Sequence, residues 1–351
     1  MSNFASGYVK YINHLEQIND AAVSDPARMI DEVEDAYHDH LENIARNITS
    51  HHRQVRVIML SGPSSSGKIT SHHQGVRVVM LSGPSSSGKT TTAHLLRDYL
   101  TQYGAKSYIV SLDDFYRGVG LAPRLPDGEY NYESVEALDV EAIKQCLLDI
   151  ITTGRFSVPS YNFALGSMPN TASESSCWPT SWPRLYQLGE GDIVIVEGIH
   201  GLNPLFTREL PQGSCVKLYV SVKQQIKSAN GDVISPMDLR LVRRIVRDVQ
   251  FRDTTPERTL SMWDQVVEGE DRYIRPYRLS ADYTVNSIHF YEPCVMRTVA
   301  IPLLRAIAED SPYYRKARDL EARLMRFEPI SASLVPENSM LREFLGPKQP
   351  G

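Results

Sequence analysis

The sequence predicts an α/β protein in which a parallel sheet is sandwiched by helices, with a helical N-terminal arm and a C-terminal tail. Three observations carry that expectation. From residue 76 onward, short apolar runs alternate with helical patterns, the signature of a parallel sheet covered on both faces. One such run, Val76-Arg77-Val78-Val79-Met80-Leu81, leads into Gly83-Pro84-Ser85-Ser86-Ser87-Gly88-Lys89-Thr90, which fits the pattern G-x-x-x-x-G-K-S/T. A helix then follows at once over Thr90–Leu100, with Ala93, Leu96 and Tyr99 at core spacing. A strand that delivers a glycine-rich turn to a helix N-terminus builds a cradle for phosphate.

The expected fold is therefore the P-loop NTPase fold, with one nucleoside triphosphate site. A broken copy of the loop lies 21 residues upstream, from Gly62 to Lys68, but the next residue is Ile69. Isoleucine has no hydroxyl for a magnesium ion, and the following Thr-Ser-His-His-Gln-Gly is too short and too poor in helix formers to supply a dipole. The repeat extends to Ile48-Thr-Ser-His-His52 against Ile69-Thr-Ser-His-His73. It reads as a local tandem duplication, with an inert insertion, an extra strand and a disordered loop all open.

Four segments are expected: a helical arm over 1–47, the duplicated segment over 48–75, a kinase-type domain over 76–310, and a tail over 311–351. In the arm, Asp25-Pro26 is a helix start with Asp25 as cap. Met29, Val33, Tyr37, Leu41 and Ile44 then form a stripe that should pack on the next domain. Further strands are expected at 107–112, 192–196, 216–222 and 283–286. Helices are expected at 135–152, 238–251, 256–267, 293–307 and 313–326, and an irregular excursion at 156–190. Hydrophobic content of 42% supports a proper core in 351 residues, and a net charge of −5 argues against a broad nucleic-acid surface. No apolar stretch approaches a membrane span. Cys146, Cys177, Cys215 and Cys294 are far apart and form no metal or disulfide pattern. A reduced cytoplasm is the expected location.

Phosphoryl transfer needs phosphates held, a metal placed, a hydroxyl activated and negative charge stabilised. Backbone amides of residues 84–89 would cradle the phosphates, Lys89 would reach the terminal ones, Thr90 would hold Mg²⁺, and Thr91 continues the same nucleotide-binding turn. The next strand ends in Ser111-Leu112-Asp113-Asp114. Ligands of open parallel sheets sit at strand carboxyl ends, so Asp113 should emerge beside the loop as base or metal ligand, while Asp114 is as well explained as a cap. Glu197 ends the apolar run Asp192–Val196 and is a natural second acid at the metal. Arg240, Arg243, Arg244 and Arg247 share a broad helix face and need anions, triphosphate oxygens being one source and Asp238 and Asp248 another.

The set GPSSSGKTT, SLDDFYR, GEYNYESVEALD, VPSYNF, IVIVEGIHGLNP and RLVRRIVRDVQFR, in this order, resembles the uridine kinase and phosphoribulokinase-like branch of P-loop kinases. It is most similar to bacterial nucleoside kinases related to uridine kinase, which end in a motif like NSMLREFLG (338–346 here). The resemblance implies ATP- or GTP-dependent phosphorylation of a nucleoside 5′-hydroxyl, uridine or cytidine being the first to try. It makes Asp113 the catalytic aspartate, places Thr90 and Glu197 around magnesium, and makes the arginine helix the lid, with Arg243, Arg244 and Arg247 on the nucleotide and Arg240 on the acceptor. It also implies that Glu133 grips the ribose hydroxyls and that Tyr161 and Phe163 flank the base. Two departures bear on the acceptor: Ala164-Leu165-Gly166-Ser167 stands where uridine kinases carry a histidine, and Glu133 replaces an aspartate. Another small alcohol is therefore an alternative acceptor, and an ATP-binding regulator without turnover is the alternative from outside the enzymes. Related kinases frequently associate, so a homo-oligomer is compatible with the resemblance.

Overall fold

A computed structural model describes residues 14–52, 76–118, 120–125, 128–161 and 183–348. The arm is two helices, α1 (Leu15–Ser24) and α2 (Pro26–His52). Asp25 caps α2 as expected, its carboxylate accepting from the Arg28 amide at 3.1 Å. Val33, Tyr37, Leu41 and Ile44 are buried and Met29 is partly so. That stripe packs on the sheet domain, where the Tyr37 hydroxyl meets Thr92 Oγ1 at 2.7 Å. Because α2 runs to His52, the boundary drawn after residue 47 falls inside a helix.

The sheet domain runs β1 (Val78–Ser82), α3 (Lys89–Gln102), β2 (Ser107–Ser111), α4 (Val140–Thr152), β3 (Arg155–Val158), β4 (Arg184–Gln187), β5 (Ile193–Glu197) and α5 (Pro204–Thr207). It continues with β6 (Cys215–Ser221), β7 (Ile226–Ser228), β8 (Gly231–Ile234), α6 (Pro236–Phe251), α7 (Pro256–Tyr273), β9 (Tyr283–Asn286) and α8 (Glu292–Arg305), then α9 (Tyr314–Leu324) and α10 (Arg342–Leu345). Five strands form one parallel sheet in the order β2-β5-β1-β6-β9. All five residues of β1 are buried, as the centre of a doubly covered sheet requires. Their alternation divides the core: Val79 and Leu81 join residues of α2, α3, α6 and α8, while Val78 and Met80 join residues of α4 and the β3–β4 hairpin. The strand that carries the intact loop thus sits at the middle of the sheet. Residues 53–75, which hold the broken loop copy, lie outside the described residues.

Three boundaries differ from expectation for local reasons. The helix expected at 135–152 is a 3₁₀ turn (Val135–Ala137) followed by α4, because Asp139 accepts from the Ala142 amide at 3.0 Å and starts a new helix. Helix α7 continues past Val267 through Gly269, where a Cβ would stand 2.5 Å from Glu133 Cβ. Only glycine lets α7 approach Glu133 that closely. The excursion at 156–190 contains the antiparallel β3–β4 hairpin; its residues 162–182, including Phe163 and Cys177, lie outside the described residues. Among the described residues no helix is long and apolar enough to cross a membrane, and Cys146, Cys215 and Cys294 are free thiols.

Candidate active site

The loop 83–88 leaves the carboxyl end of β1 and turns into α3. Its shape depends on close backbone approach: a Cβ on Gly83 would lie 2.0 Å from the Val220 carbonyl oxygen, and Gly88 has φ +85°. Ser86 also takes a left-handed conformation, φ 57°, a strained choice typical of functional turns. Lys89 curls back so that Nζ donates to the Pro84 carbonyl at 2.9 Å. Burial lowers the Lys89 pKa, and Glu197, Glu343 and Asp113 oppose that by favouring its charge.

Register places the acids. Glu197 at the end of β5 pairs with Leu81 on one side and Ser111 on the other, so it stands between the loop and the end of β2. It is buried, and one carboxylate oxygen accepts from Ser111 Oγ at 2.8 Å. Burial pushes its pKa up to about 7; Asp113 adds to the rise, and Lys89 and the Ser111 hydrogen bond oppose it. Asp113 lies two residues beyond Ser111 in the 3₁₀ turn Leu112–Phe115. The residue is exposed, yet desolvation by the protein around its carboxyl raises its pKa, with Lys89, Arg252 and Arg247 pulling the other way. The two carboxylates and Lys89 thus share one electrostatic neighbourhood, as the strand ends required. Asp114, in contrast, pairs with Arg184 of β4. Thr90 is exposed at the loop's end.

The arginine helix departs from expectation. Arg240 makes a bidentate pair with Glu270 at 3.1 and 2.7 Å, and its Nε donates to the Ser85 carbonyl at 2.9 Å. Arg243 is fully buried in a bidentate pair with Glu292 at 2.5 and 2.6 Å and also donates to the carbonyls of Ser287 (2.7 Å) and Ser86 (3.3 Å). Arg244 donates to Ser85 Oγ at 2.8 Å and pairs with Asp248 at 3.3 Å. Arg247 pairs with Asp248 at 2.7 Å. Carboxylates therefore supply the anions, and three arginines brace the outer side of the phosphate loop. The face is buried against protein, not solvated, and Asp238 serves the Ser235 capping box of α6. Arg240 and Arg243, expected on the acceptor and on the nucleotide, are both held here by carboxylates inside the protein.

On the acceptor side, Glu133 lies against Gly269 of α7, and burial raises its pKa while Arg244 and Lys89 lower it. Tyr116 packs on Tyr161 at 5.7 Å and on Tyr132 at 6.5 Å between ring centroids, giving an aromatic wall next to Asp113. Several members of this site had no role in the sequence reading. Glu270 and Glu292 lie 30 and 49 residues from the arginines they hold. Arg252 ends the arginine run, and its charge reaches Asp113. Glu343, in the C-terminal motif, accepts hydrogen bonds from Thr91.

Residues 78–291 match the profile described as "Phosphoribulokinase / Uridine kinase family". Over 181 residues the chain is 25% identical to uridine-cytidine kinase B of Dictyostelium discoideum, covering 50% of this chain and 61% of that protein. Over 156 residues it is 30% identical to the uridine kinase of Macrococcus caseolyticus, covering 44% and 62%. The matches thus span less than two thirds of those relatives' own lengths. Among solved structures, D-glycerate 3-kinase from Cryptococcus neoformans aligns at 17% identity with a TM-score of 0.44, covering 66% of this chain and 87% of that one. More than half of the chain lies within the matched profile, from the central strand through the phosphate loop and both acids to the arginine helix, and the chain belongs to the phosphoribulokinase / uridine kinase family.

Proposed function

We propose that this chain is a nucleoside kinase that transfers the γ-phosphoryl group of ATP (or GTP) to the 5′-hydroxyl of a uridine- or cytidine-like nucleoside. The observation that carries the reading is the juxtaposition of the loop 83–90 with Asp113 and Glu197 at the ends of adjacent strands. The acceptor oxygen attacks the γ-phosphorus, the bond to the β–γ bridging oxygen breaks, and ADP leaves with the electron pair. Asp113, which is exposed at the end of β2, takes the hydroxyl proton; its raised pKa strengthens it as a base. Lys89 and the backbone N–H groups of 85–89 hold the phosphates, Pro84 shaping the turn without a donor of its own, with Thr90 and Thr91 at the start of α3. Arg247 and Arg252 bring positive charge toward Asp113, and Arg244 toward Glu133. Glu133 and Tyr161, with Phe163 beyond the described residues, would contact the nucleoside.

The donor set suits Mg²⁺. Among the described residues no group of three or more His, Cys, Asp or Glu side chains forms a metal cage, but Mg²⁺ commonly uses one or two carboxylates, waters and substrate phosphates. Glu197 keeps one oxygen free of Ser111, and Asp113 raises its pKa, an unfavourable proximity that a dication offsets. Thr90, Asp113 and Glu197 would hold the ion, which when bound would neutralise phosphate charge. We place the enzyme in the cytoplasm, acting on a small molecule and neither on nucleic acid nor at a membrane. The test is ADP formation across a panel of nucleosides and other small alcohols. Stimulation by uridine or cytidine supports the proposal; stimulation only by another alcohol moves the acceptor assignment, and a flat response across the panel refutes the kinase reading.

A further inference from the structure

The C-terminal segment lies directly against the phosphate loop. Met340 touches Gly88 so closely that a Cβ there would meet its Sδ at 2.3 Å and its Cγ at 2.7 Å. Three residues on, Glu343 Oε2 accepts from the Thr91 amide at 3.1 Å and from the Thr91 hydroxyl at 3.2 Å. Thr91 lies in the first turn of α3, so its amide is one of the four that have no acceptor within the helix. At the helix of a phosphate loop, such amides are the ones that hold a polyphosphate. A side-chain carboxylate is therefore seated on a phosphate-binding group, and its charge is felt by Lys89.

The segment's backbone is held independently of the Glu343–Thr91 contact. Ser339, Met340, Leu341 and Phe344 are buried. The Arg243 guanidinium lies 5.1 Å from the centroid of the Phe344 ring. Arg342 donates to the carbonyls of Pro336, Ala332 and Gly346, and Gln250 donates to that of Leu345. Glu343 itself is only half-buried. A rotation of its side chain would free Thr91 without unpacking the tail.

We propose that Glu343 is a built-in competitor for nucleotide phosphate. It holds the N-terminus of α3 in the absence of nucleotide and swings off Thr91 when a polyphosphate binds, so that the segment 338–346 forms one wall of the nucleotide site and sets its affinity. This rests on the nucleotide reading of loop 83–90. Mg·ATP, Mg·ADP and inorganic pyrophosphate are titrated calorimetrically into the full chain and into Glu343→Gln, Glu343→Ala and Glu337→Gln, with thermal melts to confirm folding. Glu337 is exposed, so its variant removes the same unit of charge away from the loop.

Both Glu343 variants should bind ATP at least tenfold more tightly than the wild type, as expected for removing a charge-assisted competitor, and Glu337→Gln should not. Unchanged or weaker binding in the Glu343 variants overturns the proposal. Equal tightening in Glu337→Gln also overturns it, because bulk charge would then be the cause. Should the wild type and every variant bind no nucleotide, the reading of the loop itself fails. Wild-type binding with no gain in the variants sinks only the competitor.

Discussion

Arg243 and Glu292 allow the bracing role of α6 to be separated from a phosphate-binding one. Both side chains are fully buried. Replacing Arg243 with methionine keeps much of the volume but leaves the Glu292 carboxylate without its two guanidinium bonds, and takes a guanidinium donor from each of the Ser287 and Ser86 carbonyls. Breaking a buried pair from one side costs about 3–5 kcal/mol, a Tm drop of about 4–7 °C for a chain of this size. Glu292→Met should cost a similar amount. The double variant removes both charges together and leaves only two under-satisfied carbonyls, so its loss should be roughly 1–2 kcal/mol. A double-mutant cycle by denaturant unfolding should then give a coupling of at least about 3 kcal/mol. Losses that simply add, or an Arg243→Met protein as stable as the wild type, would refute this assignment and return Arg243 to the nucleotide.

Two further outcomes follow from the site. Asp113→Asn should lower kcat by roughly 10²–10⁴-fold, the worth of a positioned general base; a kcat within threefold would remove Asp113 from proton transfer. His200 is buried against Tyr273, and burial holds its imidazole pKa down at about 4 from an ordinary 6.5. Between those values the unfolded chain binds the extra proton, so its contribution is complete above pH 6.5 and falls away towards pH 4, by about 3 kcal/mol. Unfolding midpoints of His200→Leu should show a flatter slope across that window than wild type; matching slopes would disprove the assignment.

The sheet was legible because its strands are short runs rich in apolar and β-branched residues: β9 falls at 283–286 as read, and β5 is apolar up to its last residue, Glu197. Asp113 and Glu197 could be placed because strand ends in a parallel sheet converge on one edge. The partners of the arginines could not be read. Glu270 and Glu292 sit on different helices and meet α6 only through packing, and four arginines on one face point equally to phosphate or to carboxylate. The role of Glu343 was hidden for the same reason, since nothing local to LREFLG ties it to residue 91. The break before α4 was missed because an apolar 3₁₀ turn and a helix share a pattern until Asp139 caps the second.

The proposed function requires that the turn at 83–90, and not its upstream copy, cradle the triphosphate. Calorimetric titration of Mg·ATP into Lys89→Ala and Lys68→Ala, with phosphoryl transfer followed in parallel, tests it most directly. Lys89→Ala should abolish transfer and weaken ATP binding at least tenfold, while Lys68→Ala should match the wild type. Equal losses in the two variants, or a loss confined to Lys68→Ala, would contradict it.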